Sequence, residues 1–169
     1  MIKIKKASRK DVEKIKSLWC EFIDFHERYD SHYKRSKNGA KAFGGFVTSQ
    51  ISDRNALVLI AQVDKETCAY LLARLENRPP VFVETRYGMI YDIAVSEKYR
   101  RNGIGEKLFN TAIEWFQKRK VKRIELNVSI SNPVSMKFWT KIGLKPYYER
   151  RFINIANYQA HLPIHHLFA

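Results

Sequence analysis

Apolar positions along the chain follow two rhythms, a helical one of about 3.6 residues and a strand one of about 2. Met1–Lys6 alternates apolar and basic residues and predicts a short strand. Ser8-Arg-Lys-Asp11 has capping-box spacing, with a hydroxyl and a carboxylate placed to satisfy the first free N–H groups of a helix. Val12, Ile15, Leu18, Trp19, Phe22 and Phe25 follow at helical spacing, so that helix buries one face. Ser31–Gly39 is a polar, basic loop, and Ala40–Ile51 predicts a second helix despite Gly44-Gly45. Ala56–Val63 and Cys68–Leu75 read as paired strands around a turn at Asp64–Thr67. Asn77–Arg86, with Pro79-Pro80, is a loop.

Tyr87–Val95 is apolar at nearly every position, the mark of a strand buried on both faces. Gly103–Lys118 is an amphipathic helix whose stripe is Leu108, Phe109, Ala112, Ile113 and Phe116. Ile124, Leu126 and Val128 alternate with Glu125 and Asn127 as a further strand. Asn132-Pro133 opens a short helix, with Asn as cap and Pro at the first helical position, and Gly143 closes it. Tyr147–Ile155 is expected to form a last strand. The order β-α-α-β-β-β-α-β-α-β predicts one α/β domain over 1–169, a mixed sheet with helices on its faces. Its core is expected to end at 155, with a polar tail from 156 to 169.

Composition narrows the class. The 45% hydrophobic and 13% aromatic content suits a globular chain rather than a disordered one. No apolar run reaches the roughly 20 residues a bilayer requires. The basic start of the chain has no signal-peptide core, so a soluble, cytoplasmic protein without membrane attachment is expected. Cys20 and Cys68 are too few for a disulfide framework or a four-ligand metal cage. His161-Leu-Pro-Ile-His165 has metal-ligand spacing, but Pro163 prevents the helix that would bring both rings to one face, and no metal site is expected. The net charge of +14 favours anionic partners: coenzyme phosphates, nucleic acid or an acidic protein. The basic clusters at Lys3–Lys16, Lys34–Lys41 and Lys118–Arg123 are broken by other residues and carry no nucleic-acid motif.

The candidate chemistry lies between Tyr91 and Phe109. A buried strand ends there, a basic turn follows, and glycines stand where a long helix begins. A helix N-terminus exposes unpaired N–H groups at the positive end of its dipole and favours an anion. Gly103 and Gly105 let phosphate oxygens approach the backbone, while Arg100 and Arg101 add charge to the rim. A P-loop would need Gly-Lys-Ser/Thr, and Glu106 follows Gly105. A dinucleotide-binding turn would need a third glycine near 108, which is Leu.

Arg100-x-x-Gly103-x-Gly105 after Ile93-Ala94-Val95 resembles the pyrophosphate motif of the GCN5-related N-acetyltransferase (GNAT) superfamily. Asn132-x-x-Ser135-x-x-Phe138-Trp139-x-x-x-Gly143-Leu144 is similar to that family's second motif, at the family's separation from the first. The resemblance covers Tyr87–Ile155; before that, the first 86 residues agree in order of elements alone. It implies a single-domain GNAT-like mixed sheet that uses acetyl-coenzyme A as co-substrate. On that basis Ile93, Ala94 and Val95 would pair with the pantetheine arm. Arg100, Arg101, Asn102, Gly103, Ile104 and Gly105 would wrap the pyrophosphate, and Asn132, Ser135, Phe138 and Trp139 would line the far side. The acetyl group would pass directly to an amine in a ternary complex, without an acyl-enzyme. The resemblance leaves a homodimer open, since the family often forms dimers.

Asp92 stands in an otherwise apolar strand beside the implied thioester and is the candidate base for an incoming ammonium; Glu84 is the reserve. As an alternative to catalysis, Asp92 could cap backbone groups at a bulge or pair with an arginine. Tyr29, Phe82 and Glu84, with Tyr33, are candidate acceptor contacts, the acceptor being a small-molecule amine or a protein. The rival from another class is a nucleic-acid- or ribosome-associated protein that binds coenzyme A without turnover.

Overall fold

The computed structural model describes residues 1–155. Five strands and four α-helices follow one another as β1 (Ile2–Lys6), α1 (Val12–Glu27), α2 (Gly39–Ser52), β2 (Ala56–Val63), β3 (Glu66–Asn77), β4 (Arg86–Val95), α3 (Ile104–Gln117), β5 (Ile124–Leu126) and α4 (Pro133–Lys141). The capping box forms: the Ser8 N–H and hydroxyl donate to Asp11 Oδ2 at 2.8 and 2.7 Å, and α1 starts from it.

The strands lie in the order β1-β2-β3-β4-β5. Neighbours run antiparallel except β4 and β5, which are parallel. The sheet is covered on both sides, which explains the unbroken apolar runs of β2 and β3. Leu57, Leu59, Ala61, Ala69, Leu71, Ala73 and Ile90 pack with Leu108, Ala112 and Phe116 of α3. Val58, Ile60, Tyr70, Leu72 and Ala94 pack with Ile15 and Leu18 of α1 and Phe43 and Val47 of α2. Gly88 is required by this packing, since a Cβ there would come 2.5 Å from the Phe116 ring.

One irregularity decides what faces where. Leu72 pairs with Asp92 and Ala73 with Ile90, so Tyr91 is an extra residue, a β-bulge in β4. The extra residue shifts the alternation. Ile90 and Ile93 both join the α3-side core, while Asp92 turns to the α1 side next to Tyr70.

The end of the chain differs from expectation. Residues 145–154 form no strand, and Tyr147, Tyr148, Phe152, Ile153 and Ile155 are exposed. Two tyrosines, three charged residues and then Phe-Ile give no two-residue alternation, and β5 ends at Leu126 rather than Val128, leaving a short edge to pair with. The histidines at 161, 165 and 166 lie outside the described residues. No described helix is long and apolar enough to cross a membrane.

Candidate active site

The site begins where two parallel strands part. β4 and β5 pair through Gly88–Ile90 and Ile124–Leu126, after which β5 ends and β4 continues to Val95. Ile93, Ala94 and Val95 therefore have β3 on one side and no described strand on the other. Backbone N–H and C=O groups on such an edge can pair with an extended ligand, although the Val95 carbonyl already accepts from Arg100. Ile93 and Val95 are half-buried against the α3-side core, and Ala94 is buried against α1.

Beyond Val95 the chain makes a tight turn into α3. Arg101 at φ 63° and Gly103 at φ 73° both adopt left-handed backbone, and α3 starts at Ile104 with no side chain capping it. Ile104 buries its side chain in the core, so its contribution to an anion is its N–H. The first N–H groups of this 14-residue helix lie at the positive end of its dipole, a ready anion site.

The two glycines differ in kind. Nothing lies within 4 Å of a Cβ built on Gly103, where the positive φ makes the demand. A Cβ on Gly105 would come 3.2 Å from Phe138, so this glycine also admits α4 to the turn. The two arginines differ as well. Arg100 folds back: its Nε donates to the Val95 carbonyl at 3.1 Å, its guanidinium sits 4.6 Å from the Phe25 ring centre, and Glu21 lies 3.9 Å away. Arg101 is exposed at the rim. Asn102 holds the turn, donating from Nδ2 to the carbonyls of Tyr99 and Arg100 at 3.3 Å each. Glu21 of α1 accepts from the Glu97 N–H at 2.6 Å and ties the turn to the first helix.

Asn132 is fully buried and caps α4, its Oδ1 accepting from the Ser135 N–H at 3.1 Å. Its Nδ2 lies 3.4 Å from His26 Nε2, while His26 Nδ1 lies 2.8 Å from the Phe22 carbonyl. The contacts are satisfied together when Nδ1 carries the ring proton and Nε2 accepts. Ser135 and Phe138 are half-buried. Trp139 packs edge-on against Phe109 and Phe138, with ring centres 6.0 and 4.8 Å away.

Asp92 sits at the bulge, its Oδ2 accepting a 3.0 Å hydrogen bond from the Tyr70 hydroxyl. The residue retains some solvent access, but its carboxyl lies deep enough that burial raises its pKa to about 6, against the opposing pull of the Tyr70 hydrogen bond. Tyr70 is fully buried, and burial first, then the Asp92 charge, push its phenol well above the usual range, keeping it a donor. Of the two structural roles open to Asp92 from sequence, no arginine pairs with its carboxyl among the described residues.

The other candidates are scattered. Glu84 is exposed and bound to Lys122 at 2.9 Å, at the opposite end of β4 from Asp92. Phe82 is exposed on the same loop. Tyr29 packs on Phe25 and Tyr33 on His26, at the C-terminal end of α1. Tyr33 also lines a cavity of about 450 Å³ between α1 and α2, with Trp19, Phe43 and Phe46. Sequence reasoning missed Tyr70, Glu21 and His26. The alternation of β3 would place Tyr70 on the α1 face, but the register that sets it against Asp92 has no local signal.

A mixed sheet with a parting parallel pair, followed by an uncapped strand–turn–helix, defines an α/β fold in which an open strand edge leads to a helix N-terminus. Residues 13–144 match the model of the Acetyltransferase (GNAT) family, and the chain belongs to that family. It is 28% identical over 105 residues to an N-alpha-acetyltransferase of Sulfurisphaera tokodaii, the match spanning 59% of this chain and 63% of that relative, less than two thirds of its length. The fold is shared with a tetramutant of the BH1408 protein of Bacillus halodurans, at TM-score 0.80 and 20% identity, covering 90% of this chain and 99% of that one. It is shared also with a predicted acetyltransferase of Clostridium acetobutylicum crystallised with acetyl-CoA, at TM-score 0.73 and 18% identity over 94% and 99% of the two chains.

Proposed function

We propose that the protein transfers an acetyl group from acetyl-coenzyme A to the α-amine of a peptide or protein. The carrying observation is the placement of Asp92, a half-buried carboxylate on a β-bulge where β4 leaves β5, upstream in β4 of an uncapped helix N-terminus. The residues fit the co-substrate. The free N–H groups of Ile104, Gly105 and Glu106 would take the pyrophosphate, Gly103 leaves space for it, and Arg101 adds charge. The free edge of Ile93–Val95 would pair with the pantetheine amides. The thioester supplies the acetyl group.

Asp92 takes the proton that the incoming ammonium must lose, directly or through one water. The tuning of this base favours an α-amine. An α-ammonium of pKa about 7.7–8.0 gives a proton to a base near 6 at far smaller cost than a lysine ε-ammonium of about 10.4. The name of the archaeal relative supports the same acceptor.

The test is a pair of peptides sharing an internal lysine, one with a free N-terminus and one with it blocked, each incubated with acetyl-CoA and read by mass. Acetylation of the free α-amine at least tenfold faster than of the lysine is expected. Preference for the lysine would overturn the acceptor assignment, and no transfer to either would overturn α-amine transfer itself.

A further inference from the structure

We propose that Tyr70 is the positioning residue of Asp92: its buried phenol fixes the carboxylate on the β4 bulge and selects its charged form. The inference rests on the reading of Asp92 as base. Three observations carry it. Tyr70 comes from the neighbouring strand, so the 3.0 Å bond crosses the sheet at the bulge and constrains the side chain that the irregularity has turned toward α1. The ring is fully buried within the close-packed α1-side core, which leaves its hydroxyl directed at Asp92. Among the described residues Tyr70 is the one hydrogen-bond partner of the Asp92 carboxyl. The second oxygen is thereby left for the acceptor amine.

The surrounding titratable groups do not take this role. On α1, Cys20 lies beside Arg35, Glu21 bonds the Glu97 N–H, and His26 meets the Phe22 carbonyl and Asn132. On β3, Arg74 is engaged with Asp53, Glu76 and Gln50, and Glu76 also accepts from the Tyr91 hydroxyl of β4. α2 offers the apolar Phe43 and Val47 to this core. A hydroxyl that donates to a carboxylate favours its charged form, so Tyr70 holds Asp92 below the value burial alone would give.

The experiment is Tyr70→Phe, which keeps the ring, with Phe43→Leu as a control that disturbs the same core and leaves the hydroxyl. The Asp92 side-chain carboxyl carbon is titrated by NMR in all three proteins, and the pH profile of kcat/KM is measured alongside. Removal of the phenol is expected to move the Asp92 midpoint and the acid limb upward together, by about one pH unit. It is expected to lower kcat about three- to thirtyfold with KM for acetyl-CoA unchanged, while Phe43→Leu leaves the midpoint in place. A folded Tyr70→Phe protein whose midpoint stays at the parent value overturns the role of Tyr70, as does an equal shift in Phe43→Leu. Loss of the functional reading is separate: a parent that transfers no acetyl group while Asp92 still titrates with Tyr70 would overturn catalysis, not the pairing.

Discussion

Trp139 marks a departure at the scale of one residue. The GNAT motif that Asn132–Leu144 resembles has Tyr at this position, a residue able to protonate a departing thiolate, whereas an indole N–H does not ionise in the working range. Its ring is instead packed between Phe109 and Phe138. A thiol of pKa about 8.5 is a fairly good leaving group as its thiolate, so the proposed transfer does not require a protein acid here. Trp139→Phe is therefore expected to keep turnover within about tenfold of the parent; a thousandfold drop in a folded variant that binds acetyl-CoA normally would give the indole an essential part in the chemical step. Asp92 carries a second consequence. Its folded pKa of about 6 lies above the ordinary carboxylate value of about 3.9, so its stabilising contribution is complete at low pH and is lost as pH rises through 6. Asp92→Asn removes that titration and keeps an acceptor for Tyr70. The melting temperature of the variant relative to the parent should become more favourable from pH 4 to pH 8; a constant difference would mean that Asp92 titrates as a surface carboxylate. Asp92 was legible as a charge in an apolar strand. Tyr70 was not, because an aromatic in a doubly buried run looks like core until strand register is known.

At the scale of elements, the turn between β4 and α3 has one glycine that answers to backbone geometry and another that answers to packing. Gly103→Val forces a β-branched residue to φ 73° and places bulk in space a pyrophosphate would need, so acetyl-CoA affinity by calorimetry should fall at least tenfold. Binding as tight as the parent's would show that this turn does not hold the coenzyme. Gly105→Val is the poorer probe, since it also pushes on Phe138. A capping box with periodicity made α1 readable to within a residue or two, and periodicity alone did the same for α2, α3, β2, β3 and β4. The bulge was not readable: Tyr91 continues an apolar run, and two-against-one pairing is fixed by β3. The strand expected at Tyr147–Ile155 failed for a related reason, since a strand needs an edge, and β5 offers three residues.

For the whole molecule, the net charge of +14 would act at long range on the proposed co-substrate acetyl-CoA, which is itself anionic. Raising ionic strength from about 0.01 to 0.15 M shortens the screening length from about 30 to 8 Å. KM for acetyl-CoA is then expected to rise severalfold with kcat nearly unchanged; a KM indifferent to salt would assign the surplus charge to the solvated surface. The family was legible from the two glycine-bearing motifs, which lie in one continuous stretch, whereas the acceptor is defined by surfaces that meet through the fold. The central claim, that Asp92 takes the amine's proton in an acetyl transfer, is tested most directly by the turnover of Asp92→Asn on a free-α-amine peptide, with acetyl-CoA affinity measured on the same protein. Turnover should fall about 10²- to 10⁴-fold with affinity nearly intact; a folded variant that turns over within threefold of the parent would contradict it.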